Sequence, residues 1–266
     1  MYAFEYQRPG SVQEAAAHLA DGSGAKVLAG GQTLIPTMKQ RLASPPKIVD
    51  LGGIAELRGI ARSGDMLEIG AMTTHAEIAE SPVVAAAIPA LARLAEGIGD
   101  PQVRNRGTIG GSVANNDPAA DYPAAILALD AVIHTSKRQI AADDFFQGLF
   151  STALEDDEIL TRISFPVPPR FAYAKFPNPA SRYAIAGVAV AQGPQGVRVA
   201  VTGAGQSGVF RAKDMEAALA KSFAPDALKG MTVDPSLMNA DIHADAAYRA
   251  NLVAVLARRA TAAALG

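Results

Sequence analysis

The sequence has no cysteine and no tryptophan, and only 6% of its 266 residues are aromatic. The missing thiol excludes structural disulfides, thiol catalysis and any cysteine-ligated iron–sulfur cluster inside this chain, so iron–sulfur chemistry, if present, belongs to a partner. Long apolar runs are missing too. The stretch 83–94 is interrupted by Pro89 and Arg93, well short of the roughly 18 residues that a membrane span requires. Met1 to Pro9 lacks a basic region followed by an apolar stretch, so no secretory signal is visible and a soluble, cytoplasmic protein is expected. Neither charge dominates: the net charge is −2 with lysine and arginine scattered, which gives no electrostatic case for nucleic acid or an anionic membrane. His18, His75, His134 and His243 share no metal-ligand spacing, and Gly-x-Ser-x-Gly is absent, so neither a metal centre nor a nucleophilic serine is supported.

What is present is a hydrophobic content of 49%, enough to bury the core of one large domain or two ordinary ones. The most informative segments carry paired glycines. They are Val27-Leu28-Ala29-Gly30-Gly31-Gln32-Thr33-Leu34 and Arg104-Asn105-Arg106-Gly107-Thr108-Ile109-Gly110-Gly111-Ser112. Each sets adjacent glycines beside a hydroxyl residue, so that backbone N–H groups can approach an anion with no Cβ in the way. Neither has the Gly-Lys-Ser/Thr of a Walker loop or the spacing G-x-G-x-x-G. Together they predict a two-loop diphosphate cradle on something other than a Rossmann domain; either one alone reads equally well as an ordinary turn. Arg104 and Arg106 stand to balance phosphate charge or to be solvated beside the turn. Asp121 suits a carboxylate that accepts from vicinal hydroxyls, as in dinucleotide sites, with plain solvent exposure as the alternative.

The order of elements alternates between strand and helix. A strand over 2–6 leads to Ser11-Val12-Gln13-Glu14, a capping box that opens a helix towards Leu19. A strand over 26–29, a helix over 34–42 stopped by Ser44-Pro45-Pro46, and a strand over 47–51 complete a small α/β unit. A hairpin follows, with strands over 57–62 and 66–70 joined at Ser63-Gly64-Asp65. Thr74-His75-Ala76-Glu77 is a second capping box, and the alanine-rich stretch to Ile98 predicts two helices parted at Pro89. Asp117-Pro118 fits an N-cap with proline at N1, opening a helix that buries Ala124, Ile126, Leu127 and Leu129. Strands are expected over 131–135, 158–165, 171–176, 185–191 and 197–202, then helices over 214–221 and 244–264. Pro166-Val167-Pro168-Pro169 is the candidate linker. The loop Phe145-Phe146-Gln147-Gly148-Leu149-Phe150 is rich in Phe and reads either as core or as a subunit contact.

These motifs, in this order, resemble the FAD-binding medium subunit of molybdenum-containing hydroxylases, the carbon monoxide dehydrogenase and xanthine dehydrogenase family. The resemblance rests on Gly30-Gly31-Gln32-Thr33-Leu34-Ile35-Pro36, on the second glycine segment and on Asp117-Pro118-Ala119-Ala120-Asp121. It continues through Asp144-Phe145-Phe146, Gly148-Leu149-Phe150, Asp157-Glu158-Ile159-Leu160, Ala174-Lys175-Phe176, Ala180-Ser181-Arg182-Tyr183-Ala184 and Thr202-Gly203-Ala204-Gly205, nearly the whole chain. It implies an α+β protein. A vanillyl-alcohol-oxidase-type FAD-binding fold of two α/β subdomains, about 1–54 and 55–170, would precede a C-terminal domain over 171–266 with a three-stranded sheet and helices.

The resemblance further implies that Ala29, Gly30, Gly31, Gln32, Thr33 and Leu34, with Thr108, Ile109, Gly110, Gly111 and Ser112, contact the FAD diphosphate. Asp121 would meet the sugar or ribityl hydroxyls. Leu160 and Lys175 would lie near the flavin, where a cation stabilises the anionic reduced ring, and Tyr183 would be the aromatic beside the isoalloxazine. Thr33 stands where many relatives carry serine and keeps the hydroxyl. Asn115-Asn116 stand where small residues or histidine are common, and the segment 134–140 is shorter than the usual hairpin. The implied partners are a small subunit with two [2Fe–2S] clusters and a large subunit with the molybdenum cofactor, in a dimer of heterotrimers. This chain would pass electrons through FAD to NAD, oxygen, a quinone or another acceptor, with no catalytic residue or metal ligand of its own. The same fold would also serve a self-contained flavin oxidase or reductase, which would turn over substrate without partners.

Overall fold

Ser11 opens the first helix as its pattern predicts. Its hydroxyl accepts the Glu14 N–H at 3.2 Å and so satisfies a donor that a helix start leaves free, but the Glu14 carboxylate reaches one residue beyond the expected capping box, to the Gly10 N–H at 2.8 Å. A computed structural model describes residues 1–266. Strand β1 (Glu5–Gln7), helix α1 (Val12–Ala20), β2 (Lys26–Leu28), α2 (Leu34–Lys39) and β3 (Lys47–Asp50) form the first unit, a parallel sheet in the order β1-β3-β2. Ala15 and Leu19 of α1 pack with Val49 and Leu51. The first strand is confined to residues that pair with β3, so Tyr2 to Phe4 fall outside it. Helix α2 stops short of Leu42 because Arg41 turns left-handed, with φ 62°. Its N–H then meets the Met38 carbonyl and that of Leu42 the Thr37 carbonyl, a Schellman stop made without glycine.

The hairpin of β4 (Ile60–Ser63) and β5 (Met66–Gly70) begins the second unit. Helices α3 (His75–Glu80), α4 (Pro82–Ala87), α5 (Pro89–Glu96), α6 (Pro101–Arg104), α7 (Ile109–Asn115) and α8 (Tyr122–Ala128) follow. Next come β6 (Val132–Thr135), β7 (Gln139–Ala141), α9 (Ala142–Phe145), the small hairpin β8 (Phe146–Gly148) and β9 (Ser151–Thr152), and β10 (Leu160–Pro166). The main sheet is antiparallel, in the order β4-β5-β10-β6-β7. Three helices replace the two expected before Ile98. Ser81-Pro82 repeats the start made at Pro89, with the Ser81 hydroxyl accepting the Val84 N–H at 3.3 Å.

The helix expected after Asp117-Pro118 begins only at Tyr122. Asp117 Oδ1 accepts the Ala119 N–H at 2.8 Å and closes a turn instead of a helix start. The carbonyls that a helix from Pro118 would use are taken elsewhere: Pro118 O accepts from Gly203 N at 2.8 Å, and Ala120 O from Thr202 Oγ1 at 2.6 Å. Long-range bonds to the C-terminal sheet therefore override the local signal.

That sheet comprises β11 (Arg170–Pro177), β12 (Ala184–Gly193) and β13 (Gly196–Thr202), the three long strands expected, with the two-residue β14 (Phe210–Arg211) at its edge. Helices α10 (Lys213–Lys221) and α11 (Ala246–Leu265) complete the chain. Strand β12 alternates: Val188 and Val190 face the cluster that contains Val253 and Leu256 of α11, while Ala189 and Ala191 face the one that contains Ala124 to Leu127 of α8. The latter cluster also holds Ile69, Ile133 and Ile163 of the main sheet, so hydrophobic packing is continuous across the proline-rich segment 166–169. No helix is long and apolar enough to cross a membrane.

Candidate functional site

The two glycine segments meet. A Cβ on Gly30 would lie 2.1 Å from the Arg106 carbonyl oxygen and 2.8 Å from Gly107 Cα, and one on Gly111 would lie 3.1 Å from the Ala29 Cβ. Gly31 has φ 76°, which an L side chain resists. Around this contact the backbone N–H groups of Ala29, Gly30, Gly31, Gln32 and Thr33 donate to no protein acceptor, and the Thr33 side chain makes no capping bond. Such a run of free donors forms an anion-binding concavity. The second segment contributes differently. Gly110 N–H donates to Ala71 O at 2.9 Å, Ile109 N–H to Thr73 O at 3.1 Å, and Gly111 N–H to the Thr108 hydroxyl at 3.1 Å, so these donors are already satisfied. Its glycines set shape: a Cβ on Gly110 would lie 2.5 Å from that of Ala71. Arg104 caps the carbonyls of Ile98 and Gly99 at 3.1 and 3.0 Å, whereas exposed Arg106 enters no ion pair.

Asp121 is buried at the start of α8, 4% exposed. One carboxylate oxygen accepts from Lys175 Nζ at 2.9 Å and the other from the Tyr173 hydroxyl. Burial pushes its pKa up, and Lys175 and Tyr173 oppose that. Lys175 also donates to the Gly97 carbonyl at 3.1 Å, which ties β11 to the C-terminal end of α5. Tyr183 is half exposed on a closed loop in which Asn178 N–H donates to the Tyr183 carbonyl at 2.7 Å. Its phenol pKa is raised by partial burial and by the charges of Asp117 and Asp121. Leu160 is buried where β10 begins, and the neighbouring Thr161 carbonyl accepts the Ala71 N–H at 2.9 Å. Thus Leu160 is the chain neighbour of the residue bonded to Ala71, against which Gly110 packs.

Residues 2–168 match the family model described as the FAD binding domain in molybdopterin dehydrogenase. The chain belongs to this family. It is 38% identical to the carbon monoxide dehydrogenase medium chain of Hydrogenophaga pseudoflava, over 98% of this chain and 96% of that one. It is 36% identical to the nicotine 6-hydroxylase medium subunit of Paenarthrobacter nicotinovorans, over 97% and 95%. Its fold superposes on a solved chain of reconstituted CO dehydrogenase from Oligotropha carboxidovorans with a TM-score of 0.91, at 35% identity, covering 99% of this chain and 98% of the other. It is an FAD-binding oxidoreductase subunit of the medium-chain type.

The residues present fit FAD at the diphosphate through the free backbone donors of the first segment, against which the second segment is packed closely enough that a Cβ on Gly111 would meet Ala29. Two residues that hold these elements in place gave no sequence signal that local pattern reading uses. Tyr173, which holds Asp121, packs where a Cβ on Gly187 would come 2.2 Å from its hydroxyl; that glycine in an otherwise Val/Ala-rich strand was the available hint. Asn116, whose role the sequence left open, is a buried left-handed residue, φ 45°, that ends α7. Its amide donates to the Gly148 and Ser151 carbonyls at 2.7 and 2.8 Å, holding the β8–β9 turn. The Phe-rich loop divides: Phe145 is fully buried, while Leu149 and Phe150 at the turn are 47% and 61% exposed.

Proposed function

We propose that this chain is the electron-relay subunit of a molybdenum hydroxylase. In this reading FAD lies with its diphosphate against Ala29, Gly30, Gly31, Gln32, Thr33 and Leu34 on one side and Thr108, Ile109, Gly110, Gly111 and Ser112 on the other. The observation that carries it is the meeting of the two glycine segments around backbone donors with no protein acceptor. When bound, FAD supplies a centre able to exchange one or two electrons. The protein's own part is to bind and orient. Lys175, fixed by Asp121 and the Gly97 carbonyl, would hold a positive charge in the flavin region together with Leu160 and Tyr183. Two of the roughly four lone-pair positions on the Asp121 carboxylate are engaged, which leaves capacity to accept from a sugar or ribityl hydroxyl.

The partners in this reading are an iron–sulfur subunit that delivers electrons and a molybdenum-cofactor subunit that oxidises substrate, arranged as a dimer of heterotrimers in the cytoplasm. The designation of similar proteins as medium chains and medium subunits supports it. Residues 1–170, with subdomains 1–54 and 55–170, form the FAD-binding part, and residues 171–266 the C-terminal part that closes over it. The family match to residues 2–168 supports the first of these.

The test replaces Gly111 with Asp, whose side chain is directed at Ala29 of the first segment and whose charge repels a diphosphate. The variant should retain its partners on purification and lose the flavin absorbance of the wild type. A wild-type assembly free of flavin, or a Gly111→Asp assembly that keeps it, would refute the site. Oxidation of substrate by the purified chain alone would instead favour a self-contained oxidase.

A further inference from the structure

His75 and Tyr122 carry buried polar atoms that find no partner, His75 Nδ1 and the Tyr122 hydroxyl. The residues are 4% and 0% exposed, and their rings lie 5.4 Å apart at a 45° tilt. A core optimised for stability would not keep two such atoms together; sites retained for function do. The other edge of the imidazole lies against the second glycine segment. A Cβ on Gly107 would come 2.6 Å from His75 Nε2 and 2.9 Å from Cδ2. The φ of Gly107 is not positive, so the lack of a side chain there answers to the imidazole and not to the backbone. Main-chain bonds fix the same approach: His75 N–H donates to the Gly107 carbonyl at 3.0 Å, and Thr74 bridges Thr108. One ring therefore touches the turn that leads into Thr108–Ser112 and, on its far side, the residue that follows Asp121.

We propose that His75 is a positioning residue for the flavin site, a spacer whose ring sets the separation between the second glycine segment and the Asp121 end of α8. This rests on the FAD reading given above. His75 makes no contact with flavin in it; it acts through Gly107 and Tyr122. The cradle needs such a spacer because the second segment contributes shape, and displacement of Gly110 or Gly111 by a fraction of an ångström alters the surface presented to the diphosphate.

The full chain is titrated with FAD, following quenching of flavin fluorescence, as wild type, Gly107→Ala, His75→Ala and the double variant, with melting temperatures taken alongside. Gly107→Ala should weaken binding by about tenfold, and the double variant should bind more tightly than Gly107→Ala, because alanine at 75 vacates the space that the new methyl needs. Coupling of this kind marks residues in direct contact. Losses that simply add, or unchanged FAD affinity in both single variants while the melting temperature falls, overturn the proposal and leave His75 as packing. Should Gly107→Ala not fold, His75→Gln, which keeps length and polarity, should bind FAD more tightly than His75→Ala; equal affinity in the two overturns it. A folded wild type that binds no FAD refutes the site itself, an outcome distinct from any of these.

Discussion

At Asn116 a single residue closes three bonds to a segment more than thirty positions away, two through its amide and one through its carbonyl, which accepts the Phe150 N–H at 3.1 Å. Asparagine is one of few side chains that visit the left-handed region readily, so conformation and hydrogen bonding select it together. Asn116→Ala should cost about 2–4 kcal/mol in denaturant unfolding, since it leaves two carbonyls short of a donor and keeps the φ penalty. Asn116→Gly should cost less, because the penalty disappears. His75 gives a pH signature. Burial, and then the Arg104 charge, lower its pKa from 6.5 to about 4. The unfolded chain takes up that proton first, so stability should fall as pH drops from 6.5 towards 4. His75→Gln should flatten melting temperature across that window, and an unchanged slope would show that the imidazole is not held neutral.

At the scale of elements, short-range chemistry was legible wherever it acted alone. The Thr74–Glu77 capping box forms in full, with Glu77 Oε2 accepting the Thr74 N–H at 2.7 Å. The hairpin forms with its second strand as expected, while the first, expected over 57–62, pairs over 60–63 because Ala55–Leu57 take a 3-10 turn. Local signals failed where another element claimed the same groups, as at Pro118, whose carbonyl serves the C-terminal sheet. The hairpin of β6 and β7 shows how such a claim stabilises. Glu158, buried at the entry to β10, accepts from Thr135 Oγ1 at 2.6 Å, from Arg138 Nε and Nη2 at 3.0 and 3.1 Å, and from the Glu155 N–H at 3.0 Å. Burial raises its pKa, but Arg138, Thr135 and the Glu155 amide outweigh that and hold it at about 2, below its ordinary 4.5. The stabilisation is present above pH 4.5 and is lost as pH falls through 2. Glu158→Gln should therefore unfold about 1–3 kcal/mol more easily at neutral pH, with the difference from wild type shrinking in acid. A gap that stays constant down to pH 2 would place the effect outside this carboxylate.

Over the whole molecule, the family match stops at residue 168 while the packing does not. Ala189, Ala191 and Ala200 of the C-terminal sheet share a cluster with Tyr122, Ile126 and Leu127 of α8. Residues 1–170 expressed alone should lack a cooperative melt, because α8 would present an apolar face to water; a sharp transition would show that the FAD-binding part folds independently. No periodicity in the sequence announces that contact, since small alanines facing a helix read the same as alanines facing a core of their own sheet. The β8–β9 turn poses the opposite question, because it exposes what folding alone would bury. Phe150 is 61% exposed with φ 54°, a backbone conformation that is unfavourable for a bulky residue by roughly 1–2 kcal/mol. The Asn116 carbonyl that accepts the Phe150 N–H at 3.1 Å holds this backbone but leaves the ring uncovered, as a surface that meets a partner subunit would be. Phe150→Gly should accordingly leave the melting temperature of the isolated chain unchanged or raised, while reducing recovery of partner subunits on co-purification. Phe145→Ala, in the buried half of the same loop, should instead destabilise the chain by about 3–5 kcal/mol. Equal destabilisation by the two substitutions would mean that the turn belongs to the core, and full partner recovery with Phe150→Gly would mean that the docking surface lies elsewhere.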